Sequence, residues 1–190
     1  MGWQEAGLPL MVGEWPWVFF LAGTSSLLED EMKSFSDRGG LVFRLDAGEL
    51  RSSKDFFLTF SRELSFPSYF GNNWDALSDC LSRVHGDWHG GRDMVFLIDN
   101  SELLEGADFL GVLVSSLSEA AEKSNLQLDS DGGPTGFTPV AQNFVFLVKE
   151  SDLGGFVRKV NHRNISVDVF EDFAFAYQCD GSAGVRAECH

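Results

Sequence analysis

Short, continuously apolar runs recur along the chain, and between them lie stretches whose apolar residues return every three or four positions. The first pattern predicts buried strands and the second predicts helices packed on them. Trp17–Leu21 reads as a buried strand or an apolar N-terminal segment, and Ser26–Phe35 as a short helix ended before Gly39-Gly40. Leu41–Leu45 is β-prone and sits between Gly40 and Asp46, which predicts a strand. Ser52 stands three positions before Asp55 in an arrangement resembling a capping box; Phe57, Phe60 and Leu64 then recur at helical spacing until Pro67. A second helix is predicted over Asn72–Val84, with Trp74, Leu77, Leu81 and Val84 as its apolar stripe and Asp75 in its first turn. Met94–Ile98 is apolar throughout, as a central strand would be. Ala107–Lys123 carries Phe109, Leu110, Leu113, Val114 and Leu117 on a third helix.

Asp129–Pro139 is polar, contains Gly and Pro, and reads as a loop and a candidate for local disorder. Phe144–Val148 is a further strand; Ile165–Phe170 and Phe173–Tyr177 add two more around a Glu171-Asp172 turn, before a loose tail from Gly181. The order strand, helix, helix, strand, helix, strand predicts an α/β layer with parallel pairing. No internal repeat interrupts it. The length of 190 residues suits a single domain over residues 1–190.

Composition narrows the function. An apolar share of 44% with 18 phenylalanines supports a folded core and argues against disorder. Fourteen basic against 29 acidic residues give a net charge of -15, which repels phosphate backbones and anionic membranes and attracts basic partners. Such charge also serves solubility, so it assigns no partner by itself. Cys80, Cys179 and Cys189 are odd in number and widely spaced, unlike a disulfide framework or a zinc cluster. No Lys or Arg precedes Lys33, and Trp15–Ala22 is too short to span a bilayer, so a cytoplasmic location is expected.

The stretch Glu63-Leu64-Ser65-Phe66-Pro67-Ser68-Tyr69-Phe70-Gly71-Asn72-Asn73-Trp74-Asp75-Ala76-Leu77-Ser78-Asp79-Cys80-Leu81 resembles the signature of barstar-like proteins. There, a helix ends before proline, and an aromatic pair with glycine leads into a second helix bearing two aspartates. The resemblance extends upstream to Leu41 and more weakly downstream, covering residues 40–149 and leaving the extensions 1–39 and 150–190 unexplained. It implies an α/β fold with a three-stranded parallel sheet packed with helices, extended here by additional N- and C-terminal elements. It also implies a protein without catalytic residues, metal or cofactor that inhibits a basic microbial ribonuclease or a ribonuclease toxin domain, as an immunity protein does. Carried over residue by residue, Tyr69 and Phe70 match the interface aromatics, and Asn73 and Asp75 match polar contacts at the helix start. Asp79 matches the aspartate that enters the enzyme's phosphate site, and Glu119 an acidic contact from the following helix. Trp88 is a loose match for another aromatic. Two departures stand out: Phe70 replaces a common second tyrosine, and Ser78 replaces a large aromatic beside the key aspartate.

The chemistry can be read without the family. Asp75 and Asp79 are four apart and share a helix face, with no basic residue from Asn72 to Ser82 to neutralise them. Charge-assisted bonds from a partner's Arg, Lys or His would offset their mutual repulsion, so the helix can mimic the phosphates a ribonuclease holds. The simpler reading makes Asp75 a helix-start acid, Asp79 a solvated surface residue, Asn73 a cap and Tyr69 a packing residue; both sets of roles stand at this point. His85 and His89 are also four apart near Asp79, Asp87 and Asp93, but they lie in a predicted loop without the HExxH arrangement. Cys80 has no base in a defined geometry. The glycine pairs at 39–40, 90–91, 132–133 and 154–155 lack a phosphate-loop context and read as turns. The alternative function is a non-inhibitory acidic interaction module on the same fold, binding through Val167–Tyr177.

Overall fold

The computed structural model describes residues 15–82, 90–129, 131–160 and 164–178. In chain order its elements are β1 (Val18–Ala22), α1 (Ser26–Asp37), β2 (Leu41–Asp46), α2 (Ser53–Glu63), α3 (Trp74–Ser82), β3 (Met94–Asp99), α4 (Leu110–Leu126), β4 (Gln142–Val148), α5 (Leu153–Lys159), β5 (Ile165–Val169) and β6 (Phe173–Gln178). Short 3-10 turns at Ala47–Glu49 and Ser101–Leu104 follow β2 and β3.

The strands form one six-stranded sheet in the order β2-β3-β4-β1-β6-β5. β2, β3 and β4 are the expected parallel trio, and β1 adds a fourth parallel strand beside β4. β6 runs antiparallel to both β1 and β5. Both chain extensions therefore enlarge the sheet.

Parallel strands buried on both faces need long apolar runs, and Val18–Ala22 of β1, Met94–Ile98 of β3 and Phe144–Val148 of β4 supply them. One face is built around stacked rings. Phe96 lies 5.0 Å from Phe43, 4.8 Å from Phe144 and 5.6 Å from Phe60 of α2, all in near-parallel stacking. Phe20, Phe146 and Phe156 continue the ring packing toward α5. Helices α2, α3, α4 and α5 bury their apolar stripes on this face. Among the described residues, α1 covers the opposite face, through Leu28, Met32 and Phe35 against Phe19, Leu21, Val95, Leu97, Val145 and Leu147. Gly40 sits where a Cβ would fall 2.3 Å from the Phe35 ring, so that position between α1 and β2 requires glycine.

Most predicted elements are present with shifted ends. The helix expected from Ala107 starts at Leu110, because the Ala107 N–H closes a turn onto Leu104 and the Leu110 N–H closes one onto Ala107. Gly154-Gly155, read as a turn, lies inside α5, a helix the pattern reading passed over; its buried Leu153, Phe156 and Val157 are the signal that reveals it. In Asp129–Pro139, the Asp129 carboxylate accepts the Asp131 and Gly133 N–H groups, and Leu128 bridges Pro134. The tail from Gly181 and the end of the helix predicted to Val84 lie outside the described residues.

One ion cluster ties α1 to the sheet. Arg44 of β2 donates two bonds to Glu29 of α1 and two to Asp99 of β3, at 2.6–3.1 Å. The guanidinium holds the Glu29 carboxyl below its ordinary range. A lowered folded pKa stabilises above the ordinary carboxylate range, and that stabilisation is lost as pH falls through the lowered value. Glu29→Gln is expected to lower stability at pH 7 by less than about 1 kcal/mol, because the pair is exposed. The difference from wild type should vanish near the acid limit in urea melts run across pH. Phe96→Ala, at the centre of the ring stack, is expected to cost about 3–5 kcal/mol by the same melts.

Candidate functional site: an acidic helix and its aromatic entry loop

The loop into α3 follows from how α2 stops. Ser65 takes a left-handed conformation (φ 51°), the Phe66 N–H donates to Ser61 O, and the Ser65 N–H donates to Arg62 O. This closes the α2 C-terminus and lets Pro67 turn the chain away. Within the turn that follows, the Phe70 N–H donates to Pro67 O. Tyr69 stands at its outer edge, 84% exposed.

Phe70 points the other way. It is buried, with its ring 4.9 Å from Phe66 and 6.2 Å from Phe57. The family resemblance sets Phe70 beside Tyr69 among the partner contacts; in the free chain an apolar ring beside the α2 core gains more by burial than by exposure, so Phe70 anchors the loop that presents Tyr69.

Asn72 is also left-handed (φ 49°), its side-chain amide donating to Phe70 O. Asn73 then caps α3, accepting the Ala76 N–H on Oδ1 at 2.8 Å. The helix thus begins at Trp74, two residues later than the pattern indicated. A side chain at Gly71 would meet the Asn73 amide at 2.9 Å, so glycine there leaves room for the cap.

Trp74 packs between Phe57 (4.7 Å) and Phe109 (6.1 Å), with Leu77 and Leu81 fully buried behind it. That fixes the rotation of α3 and leaves Asp75 and Asp79 on the exposed side. At the other end, Gln142 of β4 donates from Nε2 to Leu81 O at 2.6 Å. Asn125 of α4 in turn holds Gln142, exchanging bonds with its backbone N–H and carbonyl. A buried polar relay therefore ties the C-terminal end of α3 to the central sheet.

Ser78, between the two aspartates, is buried, and its hydroxyl finds no partner among the described residues. Ser78 therefore contributes almost nothing to the exposed surface beside the acids. Glu119 is exposed on α4, the helix beside α3, and its carboxylate already pairs with Lys123 one turn on. A partner approaching Glu119 would compete with that ion pair.

The structure thus brings Tyr69, Asn73, Asp75 and Asp79 onto one continuous loop and helix. Phe70 lies beneath the loop, and Glu119 sits on the neighbouring helix with its charge already paired. His85, Asp87, Trp88 and His89 lie outside the described residues. Asp93, considered with them for metal or acid/base chemistry, instead accepts the Ala141 N–H at the entry to β4. Among the described residues, no group of His, Cys, Asp and Glu is arranged to hold a metal, and no helix is long and apolar enough to cross a membrane. Gln142, which sets the α3 end, was missed in the sequence; the polar pair Gln142-Asn143 opening the apolar run Phe144–Val148 was the available signal.

A mixed α/β sheet, parallel through β2, β3, β4 and β1, thus carries an acidic helix behind an aromatic turn. Residues 41–132, from β2 through α4, match the family model described as Barstar (barnase inhibitor), which supports a barstar-like family for that part of the chain. No solved structure matches the chain.

Asn73→Ala should cost about 1 kcal/mol through loss of the cap, with Asn73→Asp close to neutral. Gln142→Ala, which removes the bond to Leu81 O, should cost about 1–3 kcal/mol. Urea unfolding of the three variants checks both expectations.

Proposed function

We propose that this protein inhibits a basic microbial ribonuclease by laying α3 and the Pro67–Asn73 turn over the enzyme's active site. The carrying observation is the placement of Asp75 and Asp79 on the exposed side of a helix whose opposite side is locked into the core. A ribonuclease active site gathers Arg, Lys and His to bind phosphate, and two carboxylates one helical turn apart can occupy those donors. Tyr69, exposed at the turn, offers a flat ring to the rim of that site. Asn73 holds the helix start and still has its amide on the surface side.

The family's description as barnase inhibitors supports this reading, as does a net charge of -15, which accelerates encounter with a basic enzyme. The role is that of a protein ligand rather than an enzyme, needing no cofactor, and the setting is the cytoplasm, where such an inhibitor guards cellular RNA. Ser78 separates the mode of contact from one using a large aromatic at that position, because its short, buried side chain offers a partner almost no contact area.

The test is a titration of the full chain into an RNA-cleavage assay of a ribonuclease encoded beside it, or of a panel of basic microbial ribonucleases. Stoichiometric 1:1 inhibition is expected. Asp79→Ala should weaken it at least tenfold, about 1.4 kcal/mol, with circular dichroism unchanged. Because the attraction is electrostatic, association should slow as salt rises. Failure to inhibit any enzyme of the panel, including the neighbouring one, would remove the proposal.

A further inference from the structure

The β5–β6 hairpin lies at the far edge of the sheet from β2, and Phe173 and Phe175 lie on the face opposite to α3. On that face α1 packs along β1, β4 and β3, while Phe173 and Phe175 at its margin are only half-buried. There the chain builds a continuous aromatic surface. Phe170 stacks on Phe173 at 4.5 Å and 7°, and lies 5.8 Å from Phe175. Phe175 leads on to Tyr177 at 6.2 Å, and Trp15, which packs against the core on the α3 side, lies 5.1 Å from Phe175 and 5.5 Å from Tyr177 at the sheet's end. Phe170 is 49% exposed, although it is one of the most apolar residues of the chain. Asp168 is exposed directly across the ladder from Phe175, and strand alternation puts the two on the same face. Glu171 is exposed at the hairpin tip, and no Lys, Arg or His occurs from Asn164 to Gln178. Among the described strands β5 pairs only with β6.

We propose that the Phe170–Phe173–Phe175–Tyr177 face, together with Asp168, is a second protein-binding surface, fitted to an arginine-bearing segment of a basic partner. Guanidinium groups stack on aromatic faces while donating to a carboxylate at the ring edge, and Asp168 beside Phe175 supplies both halves of that arrangement. Charge selects this occupant over two others. A second copy would bring another -15 and another base-free hairpin against the first. Residues 1–14 include apolar side chains, but they carry Glu5 and Glu14 with no basic residue to meet Asp168 or Glu171. The surface does not depend on the ribonuclease reading. It lies on the other side of the sheet from Asp75 and Asp79, so both surfaces can be engaged together.

The test uses the full chain, labelled for amide NMR and titrated with hexa-arginine, hexalysine and hexaglutamate peptides. Hexa-arginine is expected to shift the amides of Val167–Tyr177, and to do so equally in an Asp75→Asn/Asp79→Asn variant, which separates this surface from α3. Hexalysine should bind the hairpin at least threefold more weakly, and hexaglutamate not at all. Phe170→Ala and Asp168→Asn, both at exposed positions, should each weaken hexa-arginine binding at the hairpin at least threefold. Three results would overturn the proposal: unmoved hairpin amides, equal binding of the two basic peptides unaffected by Phe170→Ala, or Overhauser contacts placing residues 1–14 or a second copy on the Phe170 and Phe175 rings.

Discussion

The position of α3 depends on the stack of rings centred on Phe96. A helix can offer carboxylates to a partner only if something else fixes its rotation, and here that is done from below. Phe96 is held between Phe43 and Phe144 on neighbouring parallel strands, and Phe60 of α2 lies flat against it. α2 then carries Phe56 and Phe57 against Trp74, the first residue of α3. From sheet to site the chain of contacts is apolar and close-packed, so a displaced Phe96 would be felt at Asp75. The Gln142–Leu81 bond does the corresponding work at the other end of α3, in polar form. With both ends pinned, two like charges can be kept four residues apart on one exposed surface without the helix rotating to separate them.

The flanking extensions change what this core can do. β1 and the β5–β6 pair lengthen the sheet by three strands, and α1 covers a face that would otherwise expose Val95, Leu97, Val145 and Leu147. The matched family region ends before β4, yet β4 is the strand that carries Gln142 and pairs with β1. The site on α3 is therefore held in part by segments outside the matched stretch. Coverage by α1 stops short of the hairpin, which leaves an aromatic surface at an acidic edge.

Much of this was legible in the sequence, for identifiable reasons. The runs Met94–Ile98 and Phe144–Val148 are apolar at every position, a pattern that only a sheet covered on both sides rewards. The α2 start was legible because Ser52 and Asp55 make the local bond that their spacing promises. The α3 stripe placed Trp74, Leu77 and Leu81 in the core and, by difference, Asp75 and Asp79 outside it. What sequence could not give was the inward turn of Phe70: its neighbour Tyr69 is also aromatic, and only the left-handed turns at Ser65 and Asn72 decide which ring is buried. Glu119's pairing with Lys123 was readable from spacing, whereas the strand order that places β1 between β4 and β6 depends on long-range packing that no local pattern encodes. α5 was hidden by its two glycines.

The most direct measurement is amide hydrogen exchange of the full chain, alone and saturated with a basic microbial ribonuclease that it inhibits. The account predicts that new protection concentrates on the turn and helix from Pro67 to Ser82, and is lost together with inhibition in Asp79→Ala. Protection confined to the Phe170 hairpin or to α4, with Pro67–Ser82 exchanging as in the free protein, would contradict it.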